Sequence, residues 1–271
     1  LMLADASFIA IDNILNEKPL PGRQKLNVPE NTEISLNDVS FWYEEGVKAI
    51  DHISMTIKPG TVTALVGESG GGKSTVANLI ARFWDVSDGS VTVGGVDVRD
   101  LDYSDLMKHI SVVFQDTNLF KMSVAENVAM YKPDASRKEI LEALQQARCE
   151  DILEKLPNGM DSVIGAKGVY LSGGEMQRIA LARAILKDAP IVLLDEATAF
   201  ADAENEYLIQ KALDLLLKGK TVLMIAHRLQ TIVHADQIIV LQKGRIVEQG
   251  THEALMQQQG VYAGMYHEYE R

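Results

Sequence analysis

Thr61-Val62-Thr63-Ala64-Leu65-Val66-Gly67-Glu68-Ser69-Gly70-Gly71-Gly72-Lys73-Ser74-Thr75 decides the reading of this chain. It opens on an apolar run of the kind buried in a parallel sheet and stops at Gly67. A helical pattern follows from about Lys73 to Phe83. Gly67 to Ser74 fit G-x-x-x-x-G-K-[ST], and a strand before and a helix after are the context that pattern requires. Gly67, Gly70, Gly71 and Gly72 let backbone N–H groups wrap a phosphate, Glu68 and Ser69 complete the loop, and the helix N-terminus adds a favourable dipole. Lys73 is placed to reach β- and γ-phosphates, the Ser74 hydroxyl to ligate Mg²⁺, and Thr75 follows. A glycine-rich turn with an incidental lysine is the alternative, and the flanking strand and helix weigh against it.

Outward from that stretch the pattern is mixed. Ile34, Leu36 and Val39 mark one strand, Ile53 to Ile57 a second, and Ser90 to Val98 a β segment turning at Gly94-Gly95. About Ser123 to Arg183 reads helical, with Ile140, Leu141, Leu144 and Ala147 on one apolar face and Met176, Ile179, Ala180 and Ala184 on another. Ile191–Leu194 and Thr221–Ile225 are short buried runs separated by a helix from about Glu204 to Leu217. Ile238–Leu241 and Ile246–Gln249 flank a Lys243-Gly244 turn. Residues 1–16 carry Leu3, Phe8, Ile11 and Leu15 at helical spacing, and a linker with Pro19, Pro21, Gly22 and Pro29 follows. The class is α/β with a helical insertion, beginning near residue 33 after a helix and linker over residues 1–32.

Composition narrows the function. The 271 residues are 46% hydrophobic and 24% charged, which excludes wholesale disorder. Net charge is −12, the wrong sign for general attraction to nucleic acid. Cys149 is the single cysteine, so neither an intrachain disulfide nor a cysteine-based zinc site is available. No apolar run reaches the roughly 18 residues of a membrane span, and the start at Leu1 inside a helical pattern reads as a segment of something longer.

Two further stretches carry chemistry. Ile191-Val192-Leu193-Leu194-Asp195-Glu196 is an apolar strand ending in two acids, and the carboxyl end of a parallel strand faces the ligand crevice. Asp195 can hold Mg²⁺ there, and Glu196 can polarise an attacking water. Leu171-Ser172-Gly173-Gly174-Glu175 precedes a helix. Ser172 and Glu175 satisfy a capping box, which by itself merely starts a helix. Gly173 and Gly174, however, leave backbone N–H groups bare at a positive helix end, a second anion site about 100 residues from the first. One nucleotide does not need two cradles from one chain; a dimer in which each chain completes the other's site uses both.

Together, Gly67–Thr75, Leu171–Glu175 and Asp195-Glu196 resemble the Walker A, signature and Walker B motifs of ABC-transporter nucleotide-binding domains, over residues of about 34–271. The resemblance implies a P-loop NTPase (RecA-like) core with an antiparallel β subdomain and a helical subdomain at about 118–183. It implies ATP and Mg²⁺ as ligands and ATP hydrolysis as the activity. Gln115 then matches the Q-loop glutamine at the metal and attacking water, and His227 the switch histidine at the γ-phosphate. Tyr43 matches the aromatic that stacks on adenine, with Trp42 as the competitor, and Asp202 matches the D-loop aspartate. Each has a plainer reading: a loop glutamine, a structural histidine, a core aromatic. One departure stands out, because Ala199 occupies the position of a small polar D-loop residue.

Gln115-Asp116-Thr117-Asn118-Leu119-Phe120 and Ser123-Val124-Ala125-Glu126-Asn127-Val128 resemble exporter-type (type IV) cassettes, and Gly165-Ala166-Lys167-Gly168 sits where their X-loop meets the membrane domain. Ala197 to Glu206 faintly resembles bacterial members linked to siderophore iron. The implied partners are a transmembrane domain of the same polypeptide and a second nucleotide-binding domain, identical or not, with no nucleic acid. The implied location is the cytoplasmic face of the inner (plasma) membrane, the isolated domain being soluble. A non-transport ABC ATPase acting on nucleic acid or the ribosome is the alternative, but the interval from Gln115 to Leu171 is too short for a long coiled-coil insertion. A GTPase wants an Asn-Lys-x-Asp motif, which does not occur, and Glu196 and His227 weigh against a purely binding module.

Overall fold

The structure is a computed structural model that describes residue 20 and residues 29–44, 46–114, 117, 119–165, 169–195, 203–226 and 229–269. The helix read over residues 1–16 and most of its linker lie outside the described residues, as do Gln115, Glu196, Asp202 and His227.

Two sheets organise the chain. The larger runs β10-β9-β3-β8-β7-β6, where β3 is Val62–Val66, β6 Ile110–Val113, β7 Ile191–Asp195, β8 Thr221–Ile225, β9 Gln237–Gln242 and β10 Arg245–Gly250. Its strands from β9 to β6 are parallel, and β10 closes one edge antiparallel through the Lys243-Gly244 turn. The interior strands are continuous apolar runs because both faces are covered, whereas the edge strand β10 alternates exposed and half-buried residues.

The smaller sheet is antiparallel in the order β2-β1-β4-β5, with β1 Ile34–Glu44, β2 Val47–Ile57, β4 Asp88–Val93 and β5 Val96–Asp97. Strand β2 is longer than the Ile53–Ile57 segment expected. His52 adopts a left-handed φ of 51° opposite Asp38, which does the same at 48°. These paired irregularities shift the register between Leu36↔Met55 and Val39↔Ile53. They keep Ile50 and Ile53, three residues apart, on the buried face, and a strict period of two misses that continuity. His52 Nδ1 and Asp38 Oδ1 close the bulge at 2.9 Å.

Helix α1, Lys73–Ile80, is sandwiched between the two sheets and shares one core with Ile34, Ile53, Leu65, Leu193 and Ile239. It ends earlier than Phe83, because Arg82 turns left-handed (φ 54°) and donates from Nε to Asp85. Short helix α2, Tyr103–His109, carried no sequence expectation; Asp102 caps it by accepting from Ser104 N and Asp105 N.

The middle region is helical, with α3 Val124–Val128, α4 Arg137–Gln146, α5 Glu150–Lys155 and α6 Gly173–Lys187. These build a second core with α7, Ala203–Leu216. Ile140, Leu144 and Ala147 are buried there as read, but Leu141 is exposed, since it lies one residue off the inward stripe of α4. Helices α8, His252–Gln258, and α9, Val261–Tyr269, pack with strands β3 and β9 in a third core centred on Leu255 and Tyr262.

Candidate nucleotide-binding site

The loop after β3 is shaped by its neighbours. Gly67 sits at φ 139°, and a Cβ there would lie 2.0 Å from the Leu241 carbonyl oxygen, so only glycine lets β3 leave the sheet this close to β9. Lys73 is buried, and its Nζ donates to the Gly67 and Glu68 carbonyls at 2.9 Å each, which holds the ammonium over the loop. Gly71 N donates to Glu68 O at 3.1 Å and tightens the turn. Glu68, Ser69, Gly70 and Ser74 are exposed on the loop and first helical turn, while Thr75 is buried.

The two candidate aromatics differ in their contacts. Tyr43 lies on the same face of β1 as Phe41, its ring 4.8 Å from that of Phe41 and 5.4 Å from that of Trp84, edge-on to both. Its hydroxyl hydrogen-bonds the Thr75 hydroxyl at 3.1 Å, beside the phosphate loop. The loop and the exposed Tyr43 ring therefore share one mouth, while Trp42, half-buried, has none of these contacts among the described residues. Trp84 was not singled out from the sequence; its place beside Tyr43 depends on how α1 ends.

Asp195 closes β7 at the carboxyl end of the parallel sheet, in register with Ile225 of β8. Among the described residues no group of three His, Cys, Asp or Glu side chains gathers into a metal cluster.

The second glycine-rich turn starts α6. Ser172 accepts from Glu175 N, and the Glu175 carboxylate accepts from Ser172 N at 2.8 Å, a complete capping box. Gly173 is exposed and Gly174 buried, with room for no side chain: a Cβ on Gly174 would lie 2.7 Å from Cβ of Asn205. Arg178, 1% exposed, donates in parallel from Nη1 and Nη2 to the Asp151 carboxylate at 2.6 and 2.8 Å, and from Nη2 to Asn205 Oδ1 at 3.0 Å. Lys155 pairs with Glu175. Burial pushes the Glu175 carboxyl up, yet bonds from Lys155 and Ser172 outweigh it and hold it below its usual value. The Arg178 guanidinium likewise lowers Asp151. Lys155, Asp151 and Asn205 had no sequence signal; they sit in other helices and meet α6 only in the fold.

The profile described as "ABC transporter" matches residues 50–199, more than half of the chain. The chain belongs to the ABC transporter family. It carries that family's ATP-binding domain, and membership implies ATP hydrolysis. It is 52% identical over 233 residues to the mycobactin import ATP-binding/permease protein IrtA of Mycolicibacterium thermoresistibile, covering 86% of this chain and 26% of that protein. It is 46% identical over 267 residues to the ATP-dependent lipid A-core flippase of Saccharophagus degradans, covering 98% of this chain and 45% of the flippase. A bacterial Atm1-family ABC exporter with ATP bound superposes at a TM-score of 0.88 with 34% identity, over 96% of this chain and 46% of the exporter. These relatives are membrane transporters, not nucleic-acid ATPases, and the chain spans less than half the length of each. The α/β fold with an antiparallel sheet, a parallel sheet and a helical region is the one expected. Among the described residues no helix is long and apolar enough to cross a membrane.

Proposed function

We propose that this domain powers substrate translocation in a membrane transporter by hydrolysing Mg-ATP between two chains arranged head to tail. The supporting observation is the separation of the two glycine-rich elements. The phosphate loop leads into α1, whose buried residues join the core between the sheets, whereas the Ser172–Gly174 turn starts α6, whose buried residues join the helical core. Each offers backbone N–H groups to an anion, and a two-fold pairing brings one chain's loop to its partner's turn.

On this reading Gly67 to Thr75 cradle the phosphates, Lys73 neutralises the β- and γ-oxygens, and Tyr43 stacks on adenine. Ser172, Gly173 and Gly174 of the partner cap the γ-phosphate. Glu196 takes charge of the attacking water, Gln115 orients it, and His227 contacts the γ-phosphate; these three roles rest on sequence position. The Ser74 hydroxyl and Asp195 carboxylate, with Gln115, are hard oxygen donors of the kind Mg²⁺ takes alongside water, so the donor set fits that ion. When bound, it would offset charge on the β- and γ-phosphates.

We read residues 1–32 as the helix and linker from a transmembrane helix, and residues 33–271 as the nucleotide-binding domain. The membrane domain then belongs to the same polypeptide and holds this one at the cytoplasmic face of the inner membrane. A cleft of about 260 Å³ between the parallel sheet and the helical region, lined by Phe114, Phe120 and Tyr131 together with Arg183 and Lys187, offers a seat for it. Phe83 stacks on Phe114 at 6.0 Å beside that cleft.

Mixing tests the composite site. Ser172→Arg and Lys73→Ala are each expected to abolish hydrolysis, and a mixture of the two to regain part of it, because one heterodimer site has both intact parts. Full turnover by Ser172→Arg alone would sink the reading.

A further inference from the structure

The α6 N-terminus combines two demands that oppose each other. Resting on the composite-site reading, it must attract the partner's γ-phosphate, yet its first turn carries Glu175, a buried carboxylate three residues from Ser172. A carboxylate there supports the helix by capping Ser172 N, but its charge repels an incoming phosphate. A helix of only six residues, α5, meets this turn with two ion pairs of opposite sense: Lys155 with Glu175 and Asp151 with Arg178. Asp151 and Lys155 are four residues apart on α5, one turn, and Glu175 and Arg178 three apart on α6, so the two helices present matching charge rows.

We propose that Lys155 is a positioning and charge-compensating residue for ATP hydrolysis: it neutralises Glu175 so that the Ser172–Gly174 turn presents a net positive end to the partner's nucleotide. The Asp151–Arg178 pair fixes the helix register that lets Lys155 reach. Arg178 is buried and its guanidinium is held between Asp151 on α5 and Asn205 on α7, so it carries the register while the half-exposed Lys155 carries the charge.

A cycle of variants in the intact protein tests this, with Lys155→Met and Glu175→Gln made singly and together. Gln still completes a capping box, so the helix start is kept. The expected result is that Lys155→Met raises the KM for ATP about tenfold, near 1.4 kcal/mol. The same substitution in the Glu175→Gln background should change KM by less than about twofold, the coupling a charge pair requires. Lys155→Arg should rescue, and nucleotide binding by the chain's own phosphate loop, followed with a fluorescent ATP analogue in the Ser172→Arg background, should not respond to Lys155→Met. A tenfold penalty that persists with Gln at position 175, or no penalty with Glu there, overturns the proposal. If Lys155→Met fails to fold, Lys155→Gln in the same cycle decides it by the same ratio. The composite-site reading fails separately, by turnover in Ser172→Arg; with that variant inactive and the Lys155 penalty uncoupled, the reading stands and the charge pairing falls.

Discussion

The hydroxyls of Tyr43 and Thr75 lie 3.1 Å apart, joining the antiparallel sheet to the first turn of the helix that follows the phosphate loop. That bond, with Phe41 and Trp84 perpendicular to the ring, orients Tyr43 while half of it stays exposed, as a stack on a flat ligand requires. Tyr43→Ala is expected to weaken ATP binding by about 1–3 kcal/mol, the scale of base stacking on an aromatic. Tyr43→Phe keeps the stack and loses one hydrogen bond, about 0.5–1.5 kcal/mol at most. Titration calorimetry should find Trp42→Ala near the parent; a larger loss at Trp42 than at Tyr43 would reverse the assignment.

Glu196 follows Asp195 in the sequence, and the proposed function gives its carboxylate the attacking water. Glu196→Gln is expected to lower turnover by at least about 10²-fold, because an amide cannot accept the proton that general base catalysis moves. ATP affinity should be unchanged, and size-exclusion chromatography with ATP should show the variant accumulating as a dimer. Parent-like turnover would remove Glu196 from the mechanism.

Legibility in the sequence followed the range of the physical signal. β3, β7 and β8 were readable because a strand buried on both faces is apolar throughout, and the phosphate loop because its glycines, lysine and flanks are contiguous. The start of β2 was not, since the bulge at His52 breaks the period of two. Helices α2 and α8 are seven residues each and depend on the caps Asp102 and Thr251 rather than on an apolar stripe. Tyr43 and Trp42 are neighbours in sequence, and only the contacts of Tyr43 with Phe41, Trp84 and Thr75 distinguish them. The Lys155, Asp151 and Asn205 partners of α6 lie 20 to 27 residues away, beyond any local pattern.

Glu175 also sets an expectation for acid stability. Its carboxyl is lowered from 4.5 because the Lys155 and Ser172 bonds outweigh burial. A group depressed in the folded state contributes stability above its unfolded pKa and loses it as pH falls through the folded value. Thermal melts should therefore show Tm declining below about pH 4.5. Glu175→Gln, which cannot titrate, should flatten part of that decline while lowering Tm at neutral pH. Other carboxylates, such as Glu139 held at about 2 by Lys132 and Ser136, keep the remainder. A variant curve parallel to the parent's at every pH would show that Glu175 is not among the titrating groups.

The proposed head-to-tail arrangement predicts a crosslink between two chains. Ser69 on the phosphate loop and Gly173 on the second turn are both exposed. If each turn caps its partner's phosphate, a bridge between them joins two molecules. Cys149 is fully buried, and burial pushes its thiol up to about 12, which makes it a poor competitor, and Cys149→Ala removes it altogether. In that background, Ser69→Cys combined with Gly173→Cys and Glu196→Gln is expected to give a covalent dimer under mild oxidant with ATP and not without it. The reason is geometric: a disulfide needs Cα atoms within about 7 Å, a distance that the proposed composite site reaches when nucleotide closes the interface. Non-reducing electrophoresis reads the result. A bridge that forms without ATP, or one that runs at monomer mass, would put both glycine-rich turns within reach of each other in one subunit, and a site completed by the partner would then be unnecessary.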